Sequence, residues 1–292
     1  MTRDERLLLV GAGVLAGFTA GEVVGAVLAG SLALLADAGH MLTDVLALAA
    51  SALVSRIARA PARGHWTFGW ARTEVLSAAA NGITLLVIAA LVTAEAIRRL
   101  LHPPGVAGST LIVVAVIGLA VNAVVLVIIG RTERRSLNVA GAIAHVLTDG
   151  YAFAATIIAG AIVVGAGWRR ADPVASLVVV ALVLRAAVRL LRESGRVLLE
   201  AAPTEVDVEL VRRHLLETEH VVDIHDLHVW TVTSGLPALS VHVVIAPECF
   251  TEGRAPRLLD ELQSCLTGHF DVQHSTFQFE SVGHLDHEAP TH

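Results

Sequence analysis

Asp37-Ala38-Gly39-His40-Met41-Leu42-Thr43-Asp44 lies inside an apolar run long enough to cross a bilayer. A second stretch, His145-Val146-Leu147-Thr148-Asp149, repeats its His-x-x-x-Asp spacing in a later apolar run. Residues four apart on a helix share a face, with Cβ atoms about 5–6 Å apart. Each stretch therefore aims one imidazole and one carboxylate in the same direction. Two such helices side by side would offer two nitrogens and two oxygens to one point, a complete tetrahedral set for Zn²⁺ with bonds of about 2.0–2.2 Å. Ionisable groups inside spans are costly and by default mark ion or substrate pathways. The duplicated pattern nominates His40, Asp44, His145 and Asp149 as one buried metal site. The bland alternative is two hydrogen-bonded His–Asp pairs that only hold helices together, which leaves four titratable groups without a task. Asp37 falls on the same helical stripe as His40 and Asp44. It is a candidate for cation access or for orienting His40 from behind, or simply a polar residue near a short extracellular hairpin.

Around these runs the chain has 292 residues, 54% of them hydrophobic and 16% charged. Soluble domains run nearer about 45–50% apolar and about 25% charged. The excess is concentrated in long runs, so the chain reads as a membrane protein with a soluble part. A spanning helix needs roughly 20 apolar residues, and six runs qualify: about 7–28, 31–55, 73–97, 109–130, 139–165 and 172–191. The first two form a tight hairpin. The expected domains are a six-helix transmembrane domain over 1–200, a soluble domain over 201–284 and a flexible tail over 285–292.

Arginine placement sets the orientation. Arg3 and Arg6, then Arg56, Arg59, Arg63 and Arg72, then Arg131, Arg134 and Arg135, and finally Arg192 and Arg196 fall on one side. Only Arg98, Arg99, Arg169 and Arg170 fall on the other. The richer side is cytoplasmic, and an even number of spans puts both termini there. A net charge of −6 and the lack of a basic cluster exclude a nucleic-acid binder. Cys249 and Cys265 form no C-x-x-C pair and no disulfide framework.

From Pro203 the composition becomes that of a soluble domain. Thr204 reads as the N-cap of an amphipathic helix reaching about Glu219. Val221–Thr233 reads as a strand, Ser234–Pro237 as a turn and Ala238–Ile245 as a second strand, making a hairpin. A helix over Arg257–His269 and a strand over Ser275–Glu280 complete an αββαβ order, a small α+β domain. Counting from the turn, 228 and 229 face 242 and 243. A shift of one residue flips a side chain's face, so His242 meets His228 or sits diagonally from His225. Glu22, Glu95, Asn81 and Asn122 also fall within spans and are candidates to line an aqueous cavity, with Glu95 nearer the interface.

The ligand types suggest the coupling. Imidazole must be deprotonated to bind metal, and binding releases protons. Zn²⁺ and H⁺ thus compete for the same groups. A site that alternately faces the two sides would turn that competition into metal–proton exchange. No Walker-type phosphate loop occurs, so the proton gradient is the expected drive. No organic cofactor is expected.

At this point the sequence resembles the cation diffusion facilitator family of zinc/proton antiporters. The resemblance rests on Leu35–Asp44, His145–Asp149, Phe68-Gly69-Trp70-Ala71-Arg72-Thr73-Glu74 and His225-Asp226-Leu227-His228-Val229-Trp230. It implies six spans, a metallochaperone-like cytoplasmic domain, a homodimer in the cell membrane and alternating access. It also implies that His40, Asp44, His145 and Asp149 are the transport site, a set that goes with zinc and often cadmium. For the soluble domain it favours His225 and His242 as ligands, with Glu280 a third candidate, so that cytosolic zinc draws two soluble domains together. The alternative there is a set of polar positions on an exposed sheet face or at the dimer contact. Two departures stand out. Loop 131–138 lacks the histidines many relatives carry, and the connection before span three offers only His65, which does not suffice for a well-formed site. The expected function is export of Zn²⁺ and related divalent metals in exchange for H⁺. The alternatives are a passive divalent-metal channel and a membrane-anchored metal sensor. An intramembrane metalloenzyme would need an open coordination position and a general base, and no H-E-x-x-H occurs.

Overall fold

The computed structural model describes residues 2–29, 32–102, 108–132, 137–168, 170–270, 272 and 274–284; the side chains of 22, 25–29, 32–40, 43, 108–111 and 172 fall outside that description. The chain divides into two compact units, Met1–Gly195 and Arg196–His292. The expected tail over 285–292, with His287 and His292, lies outside the described residues.

Among the described residues the first unit holds six long helices: α1 (Arg3–Ala29), α2 (Leu32–Ala58), α3 (Thr73–Leu101), α4 (Gly108–Ile129), α5 (Leu137–Ala166) and α6 (Ala171–Leu198). Among the described residues, four stretches are long and apolar enough to cross a membrane: Thr73–Leu101, Ile112–Ile129, Leu137–Ala166 and Pro173–Leu198. Large aliphatic side chains such as Leu46, Leu91, Val127 and Val178 point outward, as befits helices whose solvent is lipid.

Two apolar clusters hold this unit. Leu8 and Leu15 of α1, Leu48 and Ala52 of α2, Val125 and Ile129 of α4, and Val139 and Val146 of α5 form one. Leu85 and Ala89 of α3 with Val179, Val183 and Ala187 of α6 form the other. The start of α1 is closed by a capping box: Thr2 N donates to Glu5 Oε2 (3.1 Å) and Glu5 N donates to Thr2 Oγ1 (3.4 Å). Glu5 is also ion-paired with Arg59, just beyond α2. Glu95 accepts from Arg98 and Arg99 at 2.7–2.8 Å near the end of α3, a position where a carboxylate stays wet.

The connection from α2 to α3 turns at Gly69, whose φ is +63°. A Cβ there would stand 2.7 Å from the Ala60 carbonyl oxygen. Gly69→Ala is expected to cost about 1–3 kcal/mol through the left-handed backbone and this clash. A thermal melt of the detergent-solubilised protein should show a lower midpoint; an unchanged midpoint would mean that the loop relaxes freely.

The second unit runs α7 (Val208–Leu216), β1 (Val221–Thr233), β2 (Leu236–Ile245), α8 (Pro247–Thr251), α9 (Ala255–Phe270) and β3 (His274–Glu280). It has the expected αββαβ order with one additional short helix, α8. The sheet order is β1-β2-β3, with β1/β2 antiparallel and β2/β3 parallel. Val211 and Leu215 of α7 and Leu258, Leu262 and Leu266 of α9 pack with Leu239, Val241, Val243 and Ile245 of β2. The expected N-cap is corrected. Asp207, not Thr204, caps α7, accepting from Glu209 N (3.0 Å) and Leu210 N (3.2 Å). A carboxylate satisfies two orphan amides at once, whereas the Thr204 hydroxyl is turned to Glu205 (3.0 Å).

Candidate metal centre

Asp44 belongs to α2; His145 and Asp149 belong to α5, one helical turn apart. The structure brings one ligand atom from each to within 4.8 Å of the others. Asp44 is fully buried, and His145 and Asp149 keep only 6% and 8% exposure, so none is solvated as a surface group would be. His145 Nε2 stands 2.6 Å from Asp44 Oδ1. Asp44 Oδ2 has no hydrogen-bond partner among the described residues. A buried carboxylate oxygen left orphaned is expensive in an apolar interior, and a cation is what such an atom suits. His40 and Asp37 also lie on α2, but their side chains fall outside the described residues.

A cavity of about 110 Å³ between α3, α5 and α6 reaches Asp149, with Ile88, Val92, Thr148, Ser176 and Val179 among its walls. Asn122 does not line it. Asn122 is buried and donates to the Val146 carbonyl (2.7 Å), bracing α4 against α5 one residue from His145. Gly150 permits this approach, since a Cβ there would lie 2.9 Å from Asn122 Nδ2. The polarity of Asn122 is thus consumed in packing.

Asn138 is a residue that spacing did not reveal. It is fully buried two turns before His145 and ties three helices. Its Nδ2 donates to the Ser51 carbonyl (2.7 Å) and to Ser55 Oγ (3.0 Å) on α2, and its Oδ1 accepts from Ser77 Oγ (2.7 Å) on α3. Ser51 lies seven residues past Asp44 as Asn138 lies seven before His145, so these bonds set the register at which α2 and α5 oppose their ligands. The sequence reading leaves Asn138 in the loop 131–138, one residue before the expected span, whereas the helix already begins at Leu137.

In the second unit His225, His242 and Glu280 also place ligand atoms within 4.8 Å of one another. His225 Nε2 donates to Glu280 Oε2 (2.9 Å), and His242 Nδ1 is 2.8 Å from Glu280 Oε1. The expected hairpin register is corrected: His225 pairs directly with His242, and His228 pairs with Ser240. The turn is tight, with Thr233 opposite Leu236, and β1 carries an irregularity near Thr231–Thr233 and another between His225 and His228. Asp226 there takes φ +47°. Each irregularity adds one residue to β1, and together they carry His225 to the place that an even ladder would give Leu227. Because Val241 and Val243 face the helices, alternation puts His242 on the opposite face.

Burial tends to raise the Glu280 pKa, but hydrogen bonds from His225 and Gln278 and the charges of His242 and His225 outweigh it, holding the carboxyl below its usual range. A depressed folded-state pKa stabilises the fold above the unfolded value, near about 4.3, and that contribution is lost as pH falls through the folded value. In metal-free buffer, Glu280→Gln is therefore expected to lose less stability than the parent below about pH 4.3. Parallel acid-unfolding curves for the two would refute it.

Comparison with known proteins gives two family-model matches: the cation efflux transmembrane domain over residues 8–199 and the cation efflux protein cytoplasmic domain over residues 203–282. The zinc transporter ZitB of Escherichia coli is 43% identical over 279 residues, covering 95% of this chain and 88% of that protein. The cadmium, cobalt and zinc/H(+)-K(+) antiporter of Bacillus velezensis is 37% identical over 283 residues, covering 96% and 90%. Among solved structures, the metal-bound C-terminal domain of the CzcD transporter is 41% identical over 26% of this chain and 99% of that one, with a TM-score of 0.23.

Proposed function

The chain belongs to the cation efflux family of membrane transporters, and on that premise we propose that it exports Zn²⁺ from the cytoplasm in exchange for protons. Asp44, His145 and Asp149 hold the cargo, with His40 as the fourth ligand. The observation that carries this is the buried group itself, above all Asp44 Oδ2, which has no hydrogen-bond partner among the described residues, beside the His145–Asp44 contact. At 2.6 Å the His145 Nε2 and Asp44 Oδ1 atoms are within hydrogen-bond distance. A metal bound by both must break that hydrogen bond and expel the proton, so loading and deprotonation are one event. The names of the relatives, a zinc transporter and a metal/H(+)-K(+) antiporter, support the same cargo and the same counter-ion. Imidazole with carboxylate suits zinc and admits cadmium and cobalt.

Arginine placement supports cytoplasmic termini. The soluble unit then meets cytosolic metal through His225, His242 and Glu280 and pairs with a second copy, as the family's cytoplasmic-domain model suggests. The bilayer, a second copy of this chain, divalent metals and protons are its partners.

The test is zinc flux into proteoliposomes with an imposed pH gradient. Uptake should follow the gradient and fall to the leak rate with a protonophore. Flux indifferent to the protonophore would make the protein a passive channel instead.

A further inference from the structure

The helical layer of the soluble unit carries a second cluster of ligating side chains. Cys265 and His269 are four apart on α9 and so share a face. Cys265 Sγ stands 3.7 Å from His269 Nδ1. His214, in the last turn of α7, sets its ring 5.3 Å from that of His269, centroid to centroid, at an interplanar angle of 54°. The edge of Phe270 flanks the His214 ring at 5.3 Å and 88°. His269 is exposed, while Cys265 and His214 are half-buried, so solvent ions reach all three.

The Cys265–His269 and His214–His269 separations each match a pair on a tetrahedral ion, while the three ligand atoms do not yet lie within 4.8 Å of one another. With Zn–S near 2.3 Å and Zn–N near 2.0–2.1 Å, the sulfur and nitrogen on one Zn²⁺ lie about 3.6 Å apart. Two imidazoles on one such ion place their centroids about 5.2 Å apart. The His225–His242 pair of the sheet shows 5.0 Å. A thiolate with two imidazoles selects borderline and soft cations over Mg²⁺ or Ca²⁺.

We propose that Cys265, His269 and His214 form a second metal site of the soluble unit, taking Zn²⁺, Cd²⁺ or Co²⁺ with solvent as fourth ligand. His214 closes the set by rotating about its side-chain torsions onto the edge already formed by Cys265 and His269. The site lies in the helical layer, on the side of the sheet away from His242. Occupation clips α7 to α9, the two helices that cover the same face of β2.

Sulfur makes the proposal separable from the other sites. The ligand sets of the membrane group and the sheet triad contain none, and Cys249, the other thiol, is buried. The experiment is a Co²⁺ titration of the full-length protein in detergent under a non-thiol reductant, followed at the thiolate-to-cobalt charge-transfer band in the near ultraviolet. The band should appear in the parent, persist in Cys249→Ala, Asp149→Asn and His225→Ala, and vanish in Cys265→Ser. His214→Ala and His269→Ala should each weaken the Co²⁺ affinity read from it by about tenfold or more. No band in the parent at millimolar Co²⁺, a band that survives Cys265→Ser, or one indifferent to both histidine substitutions would overturn the site. Leu258, Leu262 and Leu266 supply the core contacts of α9, so variants at Cys265 and His269 leave those contacts in place.

Discussion

Asp149→Asn is expected to cut proton-driven zinc flux in proteoliposomes by at least about 100-fold, beyond the 10–100-fold typical of groups that only support a ligand. The substitution keeps the size of the side chain and removes its charge. A cation among Asp44, His145 and Asp149 then loses an anionic ligand in a largely buried place. The buried net charge changes by one unit, and a low-dielectric setting makes that unit costly for Zn²⁺. Gel filtration and a thermal melt alongside the flux separate loss of cargo binding from loss of fold. A variant that transports at the parental rate would remove Asp149 from the site.

The second large effect belongs to Asn138→Leu. The replacement is close in volume and cannot hydrogen-bond. It strips partners from the Ser51 carbonyl, Ser55 and Ser77 together. A buried polar group left unpaired costs about 1–3 kcal/mol, while interhelical bonds in membranes average nearer about 0.6 kcal/mol. The sum expected for three is about 2–4 kcal/mol. The site sits seven residues along each helix, roughly 10 Å away at 1.5 Å per residue. Zinc affinity by calorimetry is therefore expected to fall about tenfold even where the variant remains folded. Unaltered affinity with lowered stability would limit Asn138 to a structural tie.

Much of this was legible in the chain, for identifiable reasons. Apolar runs bounded by Arg, Pro and Gly located the helices of the first unit to within a few residues. The clearest overshoot is α6, expected to stop near Leu191 and found to reach Leu198. Lipid thickness limits the apolar run, not the helix. The His-x-x-x-Asp spacing placed imidazole and carboxylate on common faces, and the structure sets Asp44 against His145 and Asp149. That His145 Nε2 meets Asp44 Oδ1 was not legible, because it depends on which helix rotates toward which. Asn138 was invisible because its partners, a backbone carbonyl and two serine hydroxyls, lie on two other helices and follow no period. In the soluble unit, Val and Ile marked the first strand and alternation the last, but counting from the turn left His242 opposite His228 or diagonal to His225 rather than paired with His225. An irregular strand changes the count, and Asp226, an ordinary residue in a left-handed conformation, does not announce one.

The first unit rests on two separate apolar clusters. A cavity opened in one is not felt in the other. Truncations of Leu48 and Leu85 should thus sum in their cost, whereas Leu8 and Leu48, which share a cluster, should interact. Under mutational drift Leu85 and Ala187 are free to change together, while Ala89, Val179 and Val183, which also wall the cavity at Asp149, are held with the site.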